Sequence, residues 1–158
     1  MAFEIERKFL VDTNKWVPAD QGTRLVQAYL GFNPSPTVRI RIAGERAFLT
    51  IKGHSETISR PEFEYEVPVE DGMEILKLAI SEPVEKTRYE IWYENFLWEV
   101  DVFSGRNRGL VMAEIELDAV DQEFPCPDWL LKEVSGDERF YNSYLSIHPF
   151  QEWNNELA

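Results

Sequence analysis

Charged and apolar residues alternate at a period of two along most of this chain. In "FEIERKFLV" Glu4, Glu6 and Lys8 take every second place, and in "TVRIRIA" Arg39 and Arg41 alternate with Val38, Ile40 and Ile42. The pattern returns with Arg60, Glu62, Glu64 and Glu66, with Lys86 and Arg88, with Glu99 and Asp101, and with Glu114, Glu116 and Asp118; Lys52 closes "FLTIK". Alternate residues of an extended strand share a face, so each of these segments has one charged face and one apolar face. A fold built mainly of strands follows.

The strands are separable by their turn signals. "FEIERKFLV" is followed by a short helix or loop in "DTNKWVPADQG", and "TRLVQAYLGF" ends at the breaker "NPSPT". "TVRIRIAGERAFLTIKG" predicts a hairpin turning near Ala43, Gly44 and Glu45, and "SRPEFEYEVPV" a further strand with Pro61 at a bulge or local edge. "EDGMEILKLAIS" has Ile75, Leu76 and Ala79 at helical spacing. "VEKTRYEIWY" and "FLWEVDVFSG" pair through a turn at Glu94 and Asn95, and "LVMAEIELDAV" is another strand. "PDWLLKEVS" and "GDERFYNSYLSI" read as helical or irregular. About eight strands with few helices predict an antiparallel barrel or sandwich.

Where the charged face points decides the function. On any one strand it reads as a wet outer surface over an apolar core. The set resists that reading. Its charges are segregated by sign, and like charges at i and i+2 lie roughly 7 Å apart, where they repel unless something of opposite charge sits among them. The basic places are rich in Arg, whose fork suits oxyanions, and few strands carry on their charged face the Ser, Thr or Gln of an ordinary wet one. The other arrangement is a closed barrel with the charges inward and the apolar face under helices or a second copy of the chain. Such a lumen is costly alone and becomes favourable when a polyanion and hard cations fill it.

Composition narrows the partners. The formal charge of −13 argues against nucleic acid, which needs a basic surface, but a local basic cluster can still take a small anion. The single cysteine, Cys126, excludes an internal disulfide, and the charged N-terminus has no leader pattern; both predict a cytoplasmic protein. No stretch approaches the ~20 apolar residues of a membrane span. Cys126 lies between prolines with no supporting motif, His54 and His148 with it make a poor zinc set, and no GxxxxGK[ST] loop occurs.

At these residues the sequence resembles the CYTH superfamily, the triphosphate tunnel metalloenzymes. Glu4-Ile5-Glu6-Arg7-Lys8 matches its N-terminal Glu-x-Glu-x-Lys, and the later signals follow in order: Arg39 and Arg41, Lys52, "RPEFEYE", "EKTRY", "WEVDVFSG", "AEIEL" and the closing "KEVSGDERFYNSYLS". The resemblance looks most like the short bacterial single-domain members. It implies a mainly β fold, a closed eight-stranded antiparallel barrel tunnel with a charged lumen and flanking helices. It would occupy residues 1–148, leaving 149–158 as a tail readable as a helix.

The resemblance also implies a metal-dependent hydrolase of triphosphates. Glu4, Glu6, Glu114 and Glu116 would hold Mg²⁺ or Mn²⁺, with Glu4, Glu6, Lys8 and Glu116 at the reaction. Lys8, Arg39, Arg41, Lys52, Lys86 and Arg88 would bind the phosphates. Glu62, Glu64 and Asp101 are second candidates for metal binding or for orienting the bases; Arg60 and Arg139 lean toward structural ion pairs. The substrate is inorganic tripolyphosphate first, with an organic triphosphate, as in class IV adenylate cyclase or thiamine triphosphatase, as the alternative. A non-catalytic module binding polyphosphate or nucleotide is the reading from another class. Membrane and nucleic acid are not expected partners, and the apolar exterior leaves room for a homodimer.

Overall fold

A computed structural model describes residues 3–32, 36–54 and 57–153. Residues 33–35 of the expected breaker and 154–158 of the tail therefore lie outside the described residues. The strands are β1 (Phe3–Val11), β2 (Thr23–Gly31), β3 (Thr37–Ala43), β4 (Arg46–Lys52), β5 (Ser59–Val67), β6 (Val84–Tyr93), β7 (Phe96–Phe103), β8 (Val111–Glu116) and β9 (Leu130–Glu133). Among the described residues two short helices, α1 (Val69–Leu76) and α2 (Asn142–Leu145), and three 3₁₀ turns accompany the strands. No helix among the described residues is long and apolar enough to cross a membrane.

Strands β5, β4, β3, β2, β6, β7, β8 and β1 follow one another as neighbours, and a further pairing of β1 with β5 closes them into an eight-stranded antiparallel barrel. Strand β9 is additional. The segment "PDWLLKEVS", expected to be helical or irregular, supplies it, because β1 has a free edge there that needs partners for its backbone. Four residues are too few for a period to show. At the β6–β7 turn Glu94 and Asn95 both take positive φ, 46° and 68°, the mirror-image turn whose twist suits a two-residue hairpin.

Strand β1 is shared unequally. One edge pairs with β8 from Glu6 to Leu10. On the other edge Phe3, Glu4 and Ile5 pair with β5, whereas Phe9 and Val11 pair with β9. Between these partners the Lys8 N–H donates to Ser135 Oγ (2.8 Å) and the Lys8 carbonyl accepts from the Val134 N–H (2.8 Å). Strands β5 and β9 therefore splay apart, and the wall opens sideways beside Glu6 and Lys8.

The outward rows are apolar and mostly covered. Phe9, Val11, Trp98, Val100, Ala113 and Ile115 form one core with Trp16, Phe124 and Trp129 from loops, and Trp98 packs edge-on to Phe9, Phe124 and Trp129. Sequence alone put a helix or a partner over Phe9; loops with three aromatic side chains do that work instead. The helix α1 covers β3 and β4, where Ile40 and Ala47 are fully buried. Phe63 and Tyr65 on β5 and Trp92 on β6 stay exposed.

The inward rows change character at one end. Leu10, Val84, Phe103 and Met112 each lie two residues beyond a charged lumen residue, and they pack with Val134, Phe140 and Leu145 into a second core. The 3₁₀ turns Glu138–Phe140 and Phe150–Glu152, with α2 between them, cover that end, and Phe150 and Trp153 pack against it. The lumen is thus filled with apolar side chains at this end and charged above it.

Gly72 is the buried residue of α1, and a Cβ there would sit 2.5 Å from the Ala47 Cβ and 3.0 Å from Ile42 Cδ1. Gly→Ala in a helix ordinarily gains stability. Here the overlap should reverse the sign, with a loss of about 1–3 kcal/mol. Gly72→Ala is expected to lower the melting temperature by about 2–4 °C per kcal/mol for a chain of this size. A melting temperature equal to or above wild type would mean that α1 does not seat on β3 and β4 this closely.

Candidate active site in the barrel lumen

The charged rows meet inside the barrel. A cavity of about 300 Å³ is lined by Glu4, Glu6 and Lys8 from β1, Arg39 and Arg41 from β3, Lys52 from β4, Arg60, Glu62 and Glu64 from β5, Lys86 and Arg88 from β6, Glu99 from β7, and Glu114 and Glu116 from β8. Tyr29, Thr37, Thr50, Tyr141, Asn142 and Ser143 complete it. The β1–β8 register sets Glu6 opposite Glu116 and Lys8 opposite Glu114, which brings the four expected carboxylates into neighbouring rows. Asp101 is buried behind the lining, 1% exposed. Arg139 lies outside it, ion-paired to Asp137 at 2.7 Å and over the rings of Phe140 and Trp153.

Most lumen cations have a carboxylate. Lys52 Nζ lies 2.8 Å from Glu4 Oε2, and Arg60 Nε donates to the same oxygen at 3.3 Å. Lys8 faces Glu114 at 3.5 Å. Lys86, 1% exposed, lies 2.8 Å from Asp101 Oδ2 and donates to Asn142 Oδ1 at 3.1 Å. Arg88 donates to both Asp101 oxygens at 2.8 and 2.9 Å and to Glu99 at 3.2 Å. Arg39 donates to Thr50 Oγ1 at 3.2 Å, which donates on to Glu64 at 2.9 Å.

Three groups depart from this economy. Among the described residues Arg41 has no ion pair; its Nε donates to the neutral Gln27 Oε1 at 2.9 Å. Burial, with Arg39 and Arg88 nearby, pushes its pKa below the usual guanidinium range. Glu6 and Glu116, the directly opposed pair, also form no ion pair among the described residues. Burial, with Glu114 and Glu4 beside it, pushes the Glu6 carboxyl up to about 8, and burial with Glu4, Glu62 and Glu99 raises Glu116. Burial alone would raise Glu4 too, but Lys52 and a hydrogen bond from Glu6 bring it down to about 2. A proton on Glu6 thus relieves repulsion among these carboxylates. Lys86 shows the opposite strain: burial, with Arg88 and Arg41 close, outweighs Asp101 and pushes its ammonium down to about 7. An anion entering the lumen would restore that charge.

Among the described residues one cavity therefore holds both a guanidinium with no ion pair and two opposed carboxyl groups with none, one of which keeps a proton in place of a cation. No group of three or more His, Cys, Asp or Glu among the described residues forms a ready-made metal cage. Mg²⁺ does not need one, since it takes one or two carboxylates and leaves the rest of its shell to water and substrate phosphates. The Glu6–Glu116 pair fits that demand.

Several residues in or behind the lining carried no sequence signal of their role. Gln27 and Tyr29 lie on the lumen face of β2, whose inward row is uncharged. Tyr141 and Asn142 come from an irregular segment with no period; the Tyr141 ring faces Lys8 Nζ at 5.9 Å and the Arg60 guanidinium at 5.8 Å. Glu99 and Thr50 do carry a signal, since each lies two residues before a charged residue, Asp101 or Lys52, on the same strand face.

A second cavity of about 420 Å³ opens through the gap between β5 and β9. It shares Glu6, Lys8, Lys52, Arg60 and Tyr141 with the lumen and adds Ile58, Val134, Tyr144 and Ile147.

Comparison with known proteins places the chain in a family. The model of the CYTH domain matches residues 2–141. An inorganic triphosphatase of Acetivibrio thermocellus is 44% identical over 152 residues, covering 96% of this chain and 97% of that one. An inorganic triphosphatase of Nitrosomonas europaea is 34% identical over 91% of this chain and 97% of that one. The crystal structure of the inorganic triphosphatase NE1496 superposes with a TM-score of 0.66 at 33% identity, over 93% of this chain and 96% of that one. The PH1012 protein of Pyrococcus horikoshii, 18% identical with a TM-score of 0.55 over 75% of this chain and 81% of that one, shares the fold. With the domain model spanning most of the chain and two relatives matching nearly all of it, this protein belongs to the CYTH domain family.

Proposed function

We propose that this protein hydrolyses inorganic tripolyphosphate to pyrophosphate and phosphate with the aid of Mg²⁺ or Mn²⁺. The observation that carries the reading is a double deficit in one cavity: among the described residues, Arg41 has no ion pair with a carboxylate and Glu6 and Glu116 have none with a cation. A phosphate chain supplies the anion that Arg41 lacks, and a divalent ion supplies the cation that the carboxylates lack. The names of the full-length relatives point the same way.

Phosphoryl transfer needs positioning and charge stabilisation more than covalent help. Lys8, Arg39, Arg41, Lys52, Lys86 and Arg88 would grip the phosphate oxygens, the arginines through bidentate forks. Asp101 holds Lys86 and Arg88 in place for that grip. Glu6 and Glu116, with Glu4 and Glu114 beside them, would hold the metal ion. Bound there, such an ion would neutralise developing charge on phosphate oxygens and favour ionisation of a water. Glu62 and Glu64 sit at the β5 side of the cavity, where Glu64 anchors Arg39 through Thr50.

The side cavity favours a second substrate class. Its Ile58, Val134, Tyr144 and Ile147 give apolar room directly beside the basic rows, as the organic end of an organic triphosphate would need. Phosphate release from tripolyphosphate, ATP, thiamine triphosphate and pyrophosphate, with and without Mg²⁺ or Mn²⁺, decides between them. Metal-dependent release from tripolyphosphate is expected to lead. No release from any triphosphate would leave only a binding module.

The carboxylates should separate by stability. Glu6 binds its proton more tightly folded than unfolded, so between about pH 4.5 and 8 the native state holds the extra proton and stability falls as pH rises. Glu6→Gln should therefore abolish metal-dependent turnover, raise the melting temperature of the protein alone at pH 8–9, and flatten its decline above pH 6. Glu4→Gln should lower the melting temperature instead, because it leaves Lys52 and Arg60 buried without their partner. Equal shifts of one sign in both variants would show that Glu6 is not the repelled member of the set.

A further inference from the structure

Gln27 is fully buried on β2, at the level where the charged lumen meets the apolar filling: its register partners are Arg41 on β3 and Val84 on β6. Its Oε1 accepts from Arg41 Nε at 2.9 Å, and its Nε2 has no partner among the described residues. A buried amide N–H without an acceptor is destabilising, so a side chain kept for packing alone would be apolar here. A carboxylate of the same length would also accept from Arg41, and would cancel its charge. Glutamine accepts from Arg41 and leaves its charge uncancelled.

The geometry at Arg41 gives this choice a purpose. A guanidinium anchored through Nε keeps both Nη groups, and these form the end of the fork that takes two oxyanion oxygens at once. The other lumen arginines are held by Asp101, Glu99, Glu64 or Glu4, so part of their donor set and of their charge is already used. Arg41 is anchored by a neutral group. Its charge stays uncancelled beside Arg39 and Arg88, which is unfavourable for the protein alone and favourable once an anion arrives.

We propose that Gln27 is a positioning residue for phosphate binding: it fixes the Arg41 fork end-on to the lumen while leaving its charge to the substrate. The inference rests on the triphosphatase reading above. It assigns to an uncharged residue outside the cavity lining a part in substrate affinity that acts through Arg41.

The test compares wild type with Gln27→Met, Gln27→Glu, Arg41→Ala and the two double variants. It uses Mg²⁺ and tripolyphosphate, and reads kcat, KM and the rise in melting temperature that tripolyphosphate causes. Gln27→Met keeps the volume and frees the fork; kcat/KM should fall roughly tenfold, as for loss of one hydrogen bond to a charged group. Gln27→Glu should melt no lower than wild type, since it adds an ion pair. Yet its kcat/KM should fall by about a hundredfold or more and its tripolyphosphate-induced melting shift should shrink, because the new carboxylate competes with phosphate for Arg41. A merely structural role would tie activity to melting temperature and would not give a variant that is stable and impaired. In the Arg41→Ala background neither change at position 27 should reduce turnover, or the melting shift where turnover is too low, by more than about twofold, because the group it acts through is gone.

Retention of wild-type kcat/KM by both single variants overturns the proposal, and so does the same fold-loss with and without Arg41. A wild-type protein that neither cleaves tripolyphosphate nor is stabilised by it removes the functional reading and this inference together. A wild type that cleaves while its position 27 variants match it removes this inference alone.

Discussion

Everything in this molecule depends on how β1 closes the barrel. Its pairing with β8 from Glu6 to Leu10, and with β5 from Phe3 to Ile5, turns an open sheet into a cylinder with a fixed register. Side chains alternate at a period of two, so the register decides as one event which whole rows are inside. A slip of one residue would send Glu4, Glu6 and Lys8 outward and draw Ile5, Arg7 and Phe9 in, away from Trp98 and Trp129. The outer aromatic core and the inner charged cavity are therefore two consequences of one register. A change of register would alter both at once.

Closure gathers charges that would otherwise be solvated, and the protein answers by pairing most of them. Lys52 with Glu4, Lys86 and Arg88 with Asp101, and Lys8 with Glu114 are ion pairs of low exposure. Such pairs roughly break even against apolar residues of the same volume, so they are poor candidates for a stability device. They make sense as a preorganised set: a phosphate chain meets cations already desolvated and fixed, with little reorganisation left to do. The groups left over, Arg41 on one side and Glu6 with Glu116 on the other, are where the protein alone is least comfortable and where ligands have most to give.

The alternation of charge made the strands and nearly all of the charged rows legible from the sequence, while the closed barrel and the inward face of those rows came from the resemblance to the CYTH superfamily. The rows are legible because a strand's periodicity is local, and because sign-segregated rows make sense only when they face one another. The same logic fails where a row is uncharged. Gln27 and Tyr29 look like ordinary members of an amphipathic strand, and only the register opposite Arg41 and Arg39 shows what they touch. It fails again where there is no period: β9 is too short to display one, and Tyr141 and Asn142 reach the lumen from a turn. The splay of β5 from β9, which opens the side cavity, rests on one hydroxyl, Ser135, taking the Lys8 N–H in place of a strand. No composition or propensity marks a substitution of that kind.

One further regularity was present in the sequence and becomes readable only with the barrel in hand. The lumen rows of β1, β6, β7 and β8 run from charge to hydrocarbon in a common direction: Lys8 to Leu10, Lys86 to Val84, Asp101 to Phe103, Glu114 to Met112. Antiparallel neighbours reverse direction, so the apolar residue comes after the charge on β1 and β7 and before it on β6 and β8, and all four land at one end. There they need a cover, which 138–153 provides through Phe140, Leu145, Phe150 and Trp153. The same segment sets its polar atoms against the lumen, with the Phe140 carbonyl accepting from Lys8 and the Asn142 amide oxygen accepting from Lys86. The segment that fills the apolar end is thus also the one that aims two of the cations, so the packing of Trp153 and the reach of Lys86 belong to a single structural unit.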